Sequence, residues 1–217
     1  VLEHLSRPEQ ALAACRQLLQ PDGKLLISVP NAGYSGLIAE LLEGEFLYRE
    51  EGLLDRTHLR FFTRRSLTRF LGEHRWQLDS IDTIARELPE SEFNVAFDSL
   101  PPSVARHLLG APDALTYQFI CVAHPVAQPQ LTEEPTPLTN APAQARFTAQ
   151  LYLGHNGQYA ESTKLTTTGT IGTERQTLRF TLPRQSQPLS HLRLDPADRA
   201  GFLHLYRMTL RDAQGEA

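Results

Sequence analysis

Hydrophobic residues follow two different spacings at the start of the chain. From Leu12 to Leu19 they recur at helical intervals, whereas Lys24 to Val29 is a short and almost uninterrupted apolar run. Such a run is typical of a strand covered on both faces, and the Pro21-Asp22-Gly23 turn separates it from the helix. We interpret Val1 to His4 as the end of a preceding buried strand. The pattern therefore predicts a βαβ unit of a parallel sheet over residues 1–30.

Two positions have the spacing of helix N-terminal caps. Ser6 and Glu9 are three residues apart, as in a capping box, and Thr63 precedes an amphipathic stretch with Leu67 and Phe70 on one face. Period and turn residues predict the other elements of this half of the chain. These are a short helix at 37–42, strands at 76–84 and 115–123, and one or two short helices within 86–113.

The composition changes after residue 124. Prolines lie at 125, 129, 135, 137 and 142 among Gln, Thr, Glu and Ala, a mixture that cannot bury enough apolar surface to fold alone. Farther on, leucine and other apolar residues alternate with polar ones in short runs between glycines, at 178–182, 192–194 and 203–205. That spacing is typical of antiparallel strands in a β-sandwich.

These changes predict three regions. A mixed α/β domain occupies residues 1–124, a proline-rich linker occupies 125–144, and an all-β accessory module occupies 145–217. The module stops abruptly at Ala217, which suggests a truncation there, and the mid-strand start with Met208 as the only methionine suggests that the chain is a piece of a longer protein.

Composition and charge narrow the functional classes. The 217 residues are 41% hydrophobic and 21% charged, as in an ordinary globular protein, and the formal net charge is −4. That charge gives no attraction to nucleic acid, and no apolar stretch reaches the length of a membrane span. Cys15 and Cys121 lie far apart within apolar runs, so we interpret them as buried free thiols in a reducing, cytoplasmic compartment.

Reactive side chains occur at two places in the first region. Glu3 and His4 follow the predicted strand end, and open α/β sheets bind ligands at the carboxyl ends of their strands. In the stretch GLLDRTHLRFFTRRSL, residues 52–67, His58 and Arg60 could face a substrate. Simpler interpretations are that Glu3 and His4 begin a loop and that His58 is a hydrogen-bonded structural histidine. Glu3, His4 and His58 also have the donor types of a Zn, Fe or Mn site, although their spacing alone is weak support.

Two stretches resemble class I S-adenosylmethionine (SAM) dependent methyltransferases of the ubiquinone-biosynthesis type. VLEHLSRPEQALAACRQLLQPDGKLLISVPN, residues 1–31, is similar to the second half of that domain, with Asp22 in place of the first glycine of its P-G-G turn. DRTHLRFFTRRSLTRFL, residues 55–71, is similar to the segment T-H-x-x-F-(F/W)-T that enters the next helix. The resemblance extends over residues 1–124 and implies an incomplete Rossmann-like sheet with only the strand 4 to strand 7 side.

The resemblance implies SAM as the cofactor, with Val1, Leu2 and Glu3 on the strand 4 side of its pocket. It also implies that a glycine-rich SAM loop after strand 1 and an acidic residue after strand 2 would precede Val1. Neither is in the sequence. We therefore expect that the chain alone does not bind SAM appreciably and is inactive by itself.

The resemblance further implies that Glu3, His4 and His58 lie near the methyl-transfer centre. In the sugar and quinone O-methyltransferases a histidine more often acts as general base on the acceptor hydroxyl, and we assign that role to His58 or His4. Some RNA-end methyltransferases of similar pattern instead hold a divalent metal with an E-x-x-E-H motif and histidines. The first carboxylate of that motif would precede Val1, and our prediction includes no metal.

The end of the chain has a resemblance of its own. LRLDPADRAGFLHLYRMTLRDAQGE, residues 192–216, is similar to a β-sandwich module found beside glycosyltransferase and methyltransferase domains in bacterial proteins that build surface polysaccharide. The resemblance implies a carbohydrate-associated accessory domain, with a plain spacer as the alternative.

Together, the two resemblances predict an O-methyltransferase that acts on a sugar hydroxyl in cell-surface glycan biosynthesis. Asn31, Tyr34 and Arg60 are predicted to contact the acceptor, and a glycosyltransferase domain downstream of Ala217 would fit. The alternative is a non-catalytic carbohydrate-binding or scaffolding protein that retains a relic methyltransferase half-domain.

Overall fold

The computed structural model describes residues 1–93, 99–130, 135–139, 146–154, 158–172, 175–184, 189–199 and 203–211. The chain divides into two compact units. Unit 1 comprises residues 1–95, 106–145 and 170–174, and unit 2 comprises residues 96–105, 146–169 and 175–217.

The described residues form short helices and strands, with all the α-helices before residue 111. The α-helices are α1 (Pro8–Leu18), α2 (Ser35–Leu42), α3 (Arg64–Glu73) and α4 (Pro102–Gly110). The strands are β1 (Leu25–Pro30), β2 (Trp76–Ala85), β3 (Thr116–Pro125), β4 (Arg146–Gly154), β5 (Lys164–Thr170) and β6 (His191–Asp195). Single 3₁₀ turns occur at Leu2–His4, Leu88–Glu90 and Glu161–Thr163.

Unit 1 is built on a three-stranded sheet in the order β1-β3-β2. β3 lies in the middle and is antiparallel to both neighbours, with Pro30 opposite Gln118 on one side and Trp76 opposite Pro125 on the other. β1 and β2 therefore run in the same direction on either side of it. The long-range pairing brings the end of β1 next to the start of β3, where the cavity described below is found.

The interior of unit 1 is apolar because the helices lay their periodic leucines on this sheet. Leu12 of α1 and Leu67 and Leu71 of α3 pack with strand residues in one buried cluster. The strand residues of this cluster are Ile27, Val29, Trp76, Ile81, Phe119, Cys121 and Ala123. A second cluster holds Tyr34, Leu37, Leu53, Leu54, Phe93 and Tyr117.

The predicted strand at Val1 to His4 is wrong. Leu2–His4 forms a 3₁₀ turn, with His4 N bonded to Val1 O at 3.2 Å. A strand needs a ladder partner, and among the described residues β1 pairs only with β3. The parallel βαβ unit predicted for residues 1–30 is therefore not found; the sheet that contains β1 is antiparallel.

The two predicted helix caps have different outcomes. Thr63 caps α3 as predicted, because its side chain accepts a hydrogen bond from Ser66 N and the Ser66 hydroxyl accepts one from Thr63 N. The Ser6 and Glu9 capping box is wrong: Arg7 is the N-cap residue of α1, and no side chain bonds there. Pro8 occupies the first helical position, where a missing N–H costs nothing.

The other elements predicted within residues 1–124 are confirmed with small shifts of their ends. They correspond to α2, β2, β3 and α4, while residues 94–98 of the predicted helical stretch lie outside the described residues. Cys15 and Cys121 are free thiols, as predicted. Only Cys121 is fully buried, and burial raises the pKa of its thiol to about 12.

Part of the predicted linker lies against unit 1. Thr136 N donates to Thr68 Oγ1 at 3.2 Å, Thr139 N donates to Ile81 O at 2.7 Å, and Leu138 packs on the first core cluster. Residues 131–134 and 140–145 of that segment lie outside the described residues. The boundaries of the three regions stay predictions.

Unit 2 contains a sheet in the order β5-β4-β6, in which β4 and β6 are antiparallel. The alternating run at 192–194 falls in β6 as predicted. The runs at 178–182 and 203–205 are described but belong to no strand, so those two strand predictions are wrong. A β-sandwich needs two facing sheets, and the described part of unit 2 has one.

None of the described helices is both long enough and apolar enough to cross a bilayer.

Candidate active site

A cavity of about 250 Å³ opens in unit 1 beside the Leu2–His4 turn. Its polar lining consists of Glu3, His4, Asp55, His58 and Gln118, and Pro30, Gly52, Leu53 and Tyr117 complete it. The cavity thus lies where the end of β1, the start of β3 and the loop at 52–62 meet. Glu3, His4 and His58, predicted as catalytic residues from distant parts of the sequence, all lie on its wall.

Backbone hydrogen bonds tie the two parts of the site together. Glu3 O accepts from Leu59 N at 2.6 Å and from Arg60 N at 3.0 Å. These bonds hold the Leu2–His4 turn against the loop that carries His58. The site therefore depends on contacts between segments more than 50 residues apart, such as the 2.9 Å contact between Thr57 and His4 whose sequence separation is 53.

His58 is buried and has a fixed hydrogen-bond partner. Its Nδ1 lies 2.9 Å from Leu53 O. A carbonyl oxygen can only accept, so Nδ1 carries the proton and Nε2 of the neutral ring has a free lone pair. One nitrogen thus fixes the ring, as the structural interpretation expects, while the other is available for chemistry and the catalytic role of His58 stays a prediction.

His4 is held by a second hydrogen-bonded chain. Thr57 Oγ1 lies 2.6 Å from Asp55 Oδ1, to which it donates, and 2.9 Å from His4 Nδ1. Because a hydroxyl has one proton, Thr57 accepts from Nδ1–H of His4, which leaves the lone pair on Nε2. Hydrogen bonds from the Thr57 side chain and backbone lower the pKa of Asp55, so this carboxylate stays ionised and keeps accepting.

Glu3 brings a nearly buried carboxylate to the same place. Its side chain is 9% exposed, and Oε1 contacts the Val1 ammonium at 2.8 Å and His4 Nε2 at 3.5 Å. Its Oε2 is buried without a hydrogen-bond partner. This carboxylate therefore places a negative charge beside the His4 ring.

The three side chains form one compact cluster. The rings of His4 and His58 meet edge to face with centroids 4.7 Å apart. One ligand-capable atom from each of Glu3, His4 and His58 lies within 4.8 Å of the others. A single proton, a polarised hydroxyl group or a metal ion fits this set of donors chemically.

A metal ion would require the cluster to contract. Metal–nitrogen and metal–oxygen bonds of about 2.0–2.2 Å place the ligands of one ion roughly 3–3.6 Å apart. The present separation reaches 4.8 Å, so the ligand atoms would have to close by about an ångström. Metal-binding histidines need a hydrogen bond at the ring nitrogen that does not bind the metal, and Leu53 O and Thr57 Oγ1 already supply these bonds to His58 and His4.

The residues predicted to bind SAM lie in different surroundings. Glu3 lines the cavity, whereas Leu2 is buried in the first core cluster and Val1 is mostly exposed. The roles of Val1, Leu2 and Glu3 in cofactor binding stay predictions.

The residues predicted to bind the acceptor lie away from the cavity lining. Asn31 is 1% exposed and its amide donates to Thr116 O at 2.8 Å, while Tyr34 is buried in the second core cluster and donates to Arg86 O at 3.0 Å. The Arg60 guanidinium donates to Ser6 O at 2.8 Å. Their contacts to an acceptor stay predictions, but Asn31 and Tyr34 have clear structural roles.

Sequence reasoning missed several residues of the site. Asp55 and Thr57 belong to a segment that was singled out, but nothing in their spacing indicates the chain of bonds to His4. Tyr117 and Gln118 reach the cavity because β3 pairs antiparallel with β1. No local pattern in the sequence predicts that pairing.

Comparison with protein families gives a match over the part of the chain that holds the candidate site. Residues 1–81 match the family model of a methyltransferase domain. No curated protein matches the chain. The family match includes Glu3, His4 and the whole loop with Asp55 and His58, and it supports a class I methyltransferase domain in this part of the chain. Such domains generally use SAM.

Proposed function

We propose that residues 1–124 form the acceptor side of a SAM-dependent O-methyltransferase domain. The observation that carries this proposal is the Glu3, His4 and His58 cluster on the wall of a polar cavity, inside the segment that matches the methyltransferase domain model. When bound, SAM would supply the electrophilic methyl group on a cationic sulfonium. The carboxylates of Glu3 and Asp55 suit a cation at this place.

The protein's part in methyl transfer is to position the acceptor hydroxyl and remove its proton. His58 is the base that the geometry favours, because Leu53 O holds its Nδ1–H and leaves the Nε2 lone pair free. The acceptor oxygen would take the methyl group that SAM supplies, with the sulfur–carbon electrons left on sulfur, and His58 Nε2 would take the hydroxyl proton. His4, beside Glu3, can take the same role or stabilise the resulting imidazolium.

The cavity lining supports a neutral, hydroxyl-rich acceptor such as a sugar. Among the described residues, none that lines the cavity is a lysine or arginine, so an anionic acceptor would meet Glu3 and Asp55 without compensation. Asp55 and the Gln118 amide offer hydrogen bonds of the kind that sugar hydroxyls accept and donate. We place this acceptor in bacterial cell-surface glycan biosynthesis, which rests on the resemblances of residues 1–124 and 192–216.

The remaining regions fit this proposal as accessories. We propose that residues 145–217 are a carbohydrate-associated module of the β-sandwich type, that the protein works in the cytoplasm, and that a glycosyltransferase domain accompanies it. We further propose that full SAM binding needs a glycine-rich loop and an acidic residue of the kind that the resemblance implies. The rival is a non-catalytic glycan-binding or scaffolding protein.

A second role for the cluster is a divalent metal site. The donor set of one carboxylate and two imidazoles favours a metal. So do the hydrogen bonds that Thr57 Oγ1 and Leu53 O make with the two imidazole rings. A metal would lower the pKa of the acceptor hydroxyl directly, which would make a histidine base unnecessary.

The test is methyl transfer from SAM to a panel of sugar acceptors by the open reading frame that contains these residues. His58→Gln should lower kcat by about 10²–10⁴-fold, the usual contribution of a general base. His107→Gln, an exposed histidine of α4, is the matched control and should keep full activity. Full activity of His58→Gln, or no transfer to any sugar hydroxyl, would contradict the proposal.

Two further measurements test SAM binding and the choice between a histidine base and a metal ion. Calorimetric titration of SAM into the 217-residue chain should show no tight binding; tight binding would contradict the proposed need for further elements. Loss of activity in chelator, with recovery on adding Mn²⁺ or Zn²⁺, would favour the metal role over the histidine base.

A further inference from the structure

Glu92 occupies a position in unit 1 that neither the predicted site nor the cavity lining includes. It follows the Leu88–Glu90 turn, and its carboxylate accepts a hydrogen bond from Leu53 N at 2.8 Å. The Tyr117 hydroxyl lies 3.0 Å from Oε1 and 2.9 Å from Oε2, so it donates to the same carboxylate. The Arg86 guanidinium lies 4.0 Å from Oε2 and 4.0 Å from the centre of the Tyr117 ring.

The loop beside this carboxylate is shaped for close approach. Gly52 has φ +103°, a conformation that side-chain-bearing residues rarely adopt. A Cβ at Gly52 would collide with Glu92 Oε1 and lie 2.8 Å from its Cδ. Glycine at position 52 thus satisfies two conditions together: the backbone conformation and the space that the carboxylate fills.

Leu53 connects Glu92 with His58. Its N–H donates to Glu92, and its carbonyl oxygen accepts from His58 Nδ1 at 2.9 Å. Its side chain is buried in the second core cluster, so the residue has little freedom to rotate. A displacement of the Leu53 backbone would therefore move or release the carbonyl that selects the Nδ1–H tautomer of His58.

Tyr117 keeps the carboxylate in place from the other side. Burial and the neighbouring Glu92 carboxylate raise the pKa of Tyr117, so its hydroxyl stays protonated and continues to donate. Glu92 thus has donors on both sides, one of which belongs to the loop of the site.

We propose that Glu92 is a positioning residue: it holds the Gly52–Leu53 segment, and through the Leu53 carbonyl it fixes the orientation and the Nδ1–H tautomer of His58. The catalytic value of this arrangement rests on the proposed function, in which His58 Nε2 accepts the acceptor proton. The positioning itself is a property of the folded chain and is measurable without substrate or SAM.

The experiment is nuclear magnetic resonance on the 217-residue chain with ¹⁵N-labelled histidine. Long-range ¹H–¹⁵N correlation reports the tautomer of His58, and amide hydrogen exchange reports the Leu53 N–H. In the unsubstituted chain His58 should be the Nδ1–H tautomer. Glu92→Asp keeps the charge but shortens the side chain, so it should mix the tautomers and raise Leu53 exchange by at least about tenfold, as expected for the loss of one charge-assisted hydrogen bond.

Two variants make the result specific. Glu92→Gln keeps an acceptor oxygen at full length, so both His58 and Leu53 should stay close to the unsubstituted chain. Glu90→Ala removes an exposed carboxylate from the neighbouring turn and should change neither. Trp76 fluorescence, from the only tryptophan, verifies that unit 1 of each variant is folded.

The opposite pattern would overturn the proposal. If Glu92→Gln altered His58 while Glu92→Asp left it unchanged, the charge of Glu92 would matter and its reach would not. Unchanged His58 and Leu53 signals in a folded Glu92→Asp chain would also overturn it. Altered His58 and Leu53 signals in Glu92→Asp would support the positioning role of Glu92. If methyl transfer by the same variant were undiminished, that would count against His58 as the base.

Discussion

The sheets of unit 1 and unit 2 have three strands each, but within the described residues the sheet of unit 1 is the more deeply buried of the two. Val29, Ile81 and Phe119, one from each strand of unit 1, are 0% exposed. Among the described residues of unit 2, the buried hydrophobic side chains are Leu100, Ala105, Ala149, Tyr152 and Leu153, and those that lie on the sheet are all on β4. The described stretch at 203–211 instead exposes its large apolar side chains, which are Leu203, Leu205, Tyr206, Met208 and Leu210.

The difference comes from what covers each sheet. In unit 1, α1 and α3 bring apolar residues at helical spacing onto strands with apolar residues at alternate positions, and both patterns find a partner. In the described residues of unit 2 between 146 and 211 there is no α-helix to do this. Alternating apolar residues are thus not sufficient for a buried strand, because a strand also needs a ladder and a covering layer.

The largest expected effect is the loss of Phe119 at the centre of the first sheet. Phe119→Ala should lower the free energy of unfolding by about 3–5 kcal/mol, because a packed interior cannot close around the cavity. Leu153→Ala on β4 should cost about 2 kcal/mol, the low end for leucine, because its cross-strand partner Leu192 is 41% exposed and water can enter the space left behind.

Urea unfolding followed by Trp76 fluorescence reports on unit 1, since this single tryptophan is buried in β2. Hydrogen exchange of residues 146–154 reports on β4. Equal losses of unfolding free energy for Phe119→Ala and Leu153→Ala would contradict the difference in packing between the two sheets.

A second effect concerns polar groups that anchor the ends of strands. Asn31→Ala should lower the free energy of unfolding by about 2 kcal/mol, because it leaves the buried Thr116 carbonyl without its amide donor. The matched group in unit 2 is Ser190, whose hydroxyl donates to Gly154 O at 3.0 Å from an exposed position. Ser190→Ala should cost less than about 0.5 kcal/mol, because water can replace the donor.

Thermal unfolding of both variants gives the measurement. A loss for Asn31→Ala no larger than that for Ser190→Ala would mean that the buried amide does not stabilise unit 1. Its predicted contact with an acceptor would then be the better explanation of the residue.

The sequence predicts the local part of this fold well and the long-range part poorly. The leucine spacing in α1 and α3, the Thr63 cap and the apolar runs of β2 and β3 are local signals, and the structure confirms the elements they predict. The insertion of β3 between β1 and β2 is a pairing across many residues, which periodicity does not record. For the same reason, the apolar residues at Val1 and Leu2 suggested a parallel strand, although their spacing carries no information on a partner strand.

The candidate site divides in the same manner. Glu3, His4 and His58 were identified because their residue types suggest chemistry, and the fold brings them together. The groups that fix them, Leu53 O and Thr57 Oγ1, are a backbone atom and an ordinary hydroxyl. Such groups become recognisable only when the loop is folded, which is why the hydrogen bonds that hold the two histidines were not predicted.

The smallest effect compares ion pairs between strands with one inside a strand. Asp79 of β2 contacts Lys24, which precedes β1, at 3.0 Å and His124 of β3 at 2.6 Å. Asp195 pairs with Arg193 of its own strand at 3.0 Å. Asp79→Asn should therefore lower the free energy of unfolding by about 0.5–1 kcal/mol near neutral pH, whereas Asp195→Asn should cost less than about 0.3 kcal/mol, because its pair adds no link between strands.

The stability that Asp79 contributes should depend on pH, because its carboxylate must be ionised to form the ion pairs. Hydrogen bonding to Lys24, followed by that to His124, lowers the pKa of Asp79 in the folded chain. A lowered carboxyl pKa stabilises the fold above the unfolded value of about 3.9, and the contribution disappears as the pH falls through the folded value. The difference between Asp79→Asn and the unsubstituted chain should thus be full at neutral pH and shrink below about pH 4, in urea titrations across that range. A difference that stays constant on acidification would show that the carboxylate charge of Asp79 does not link the strands of unit 1.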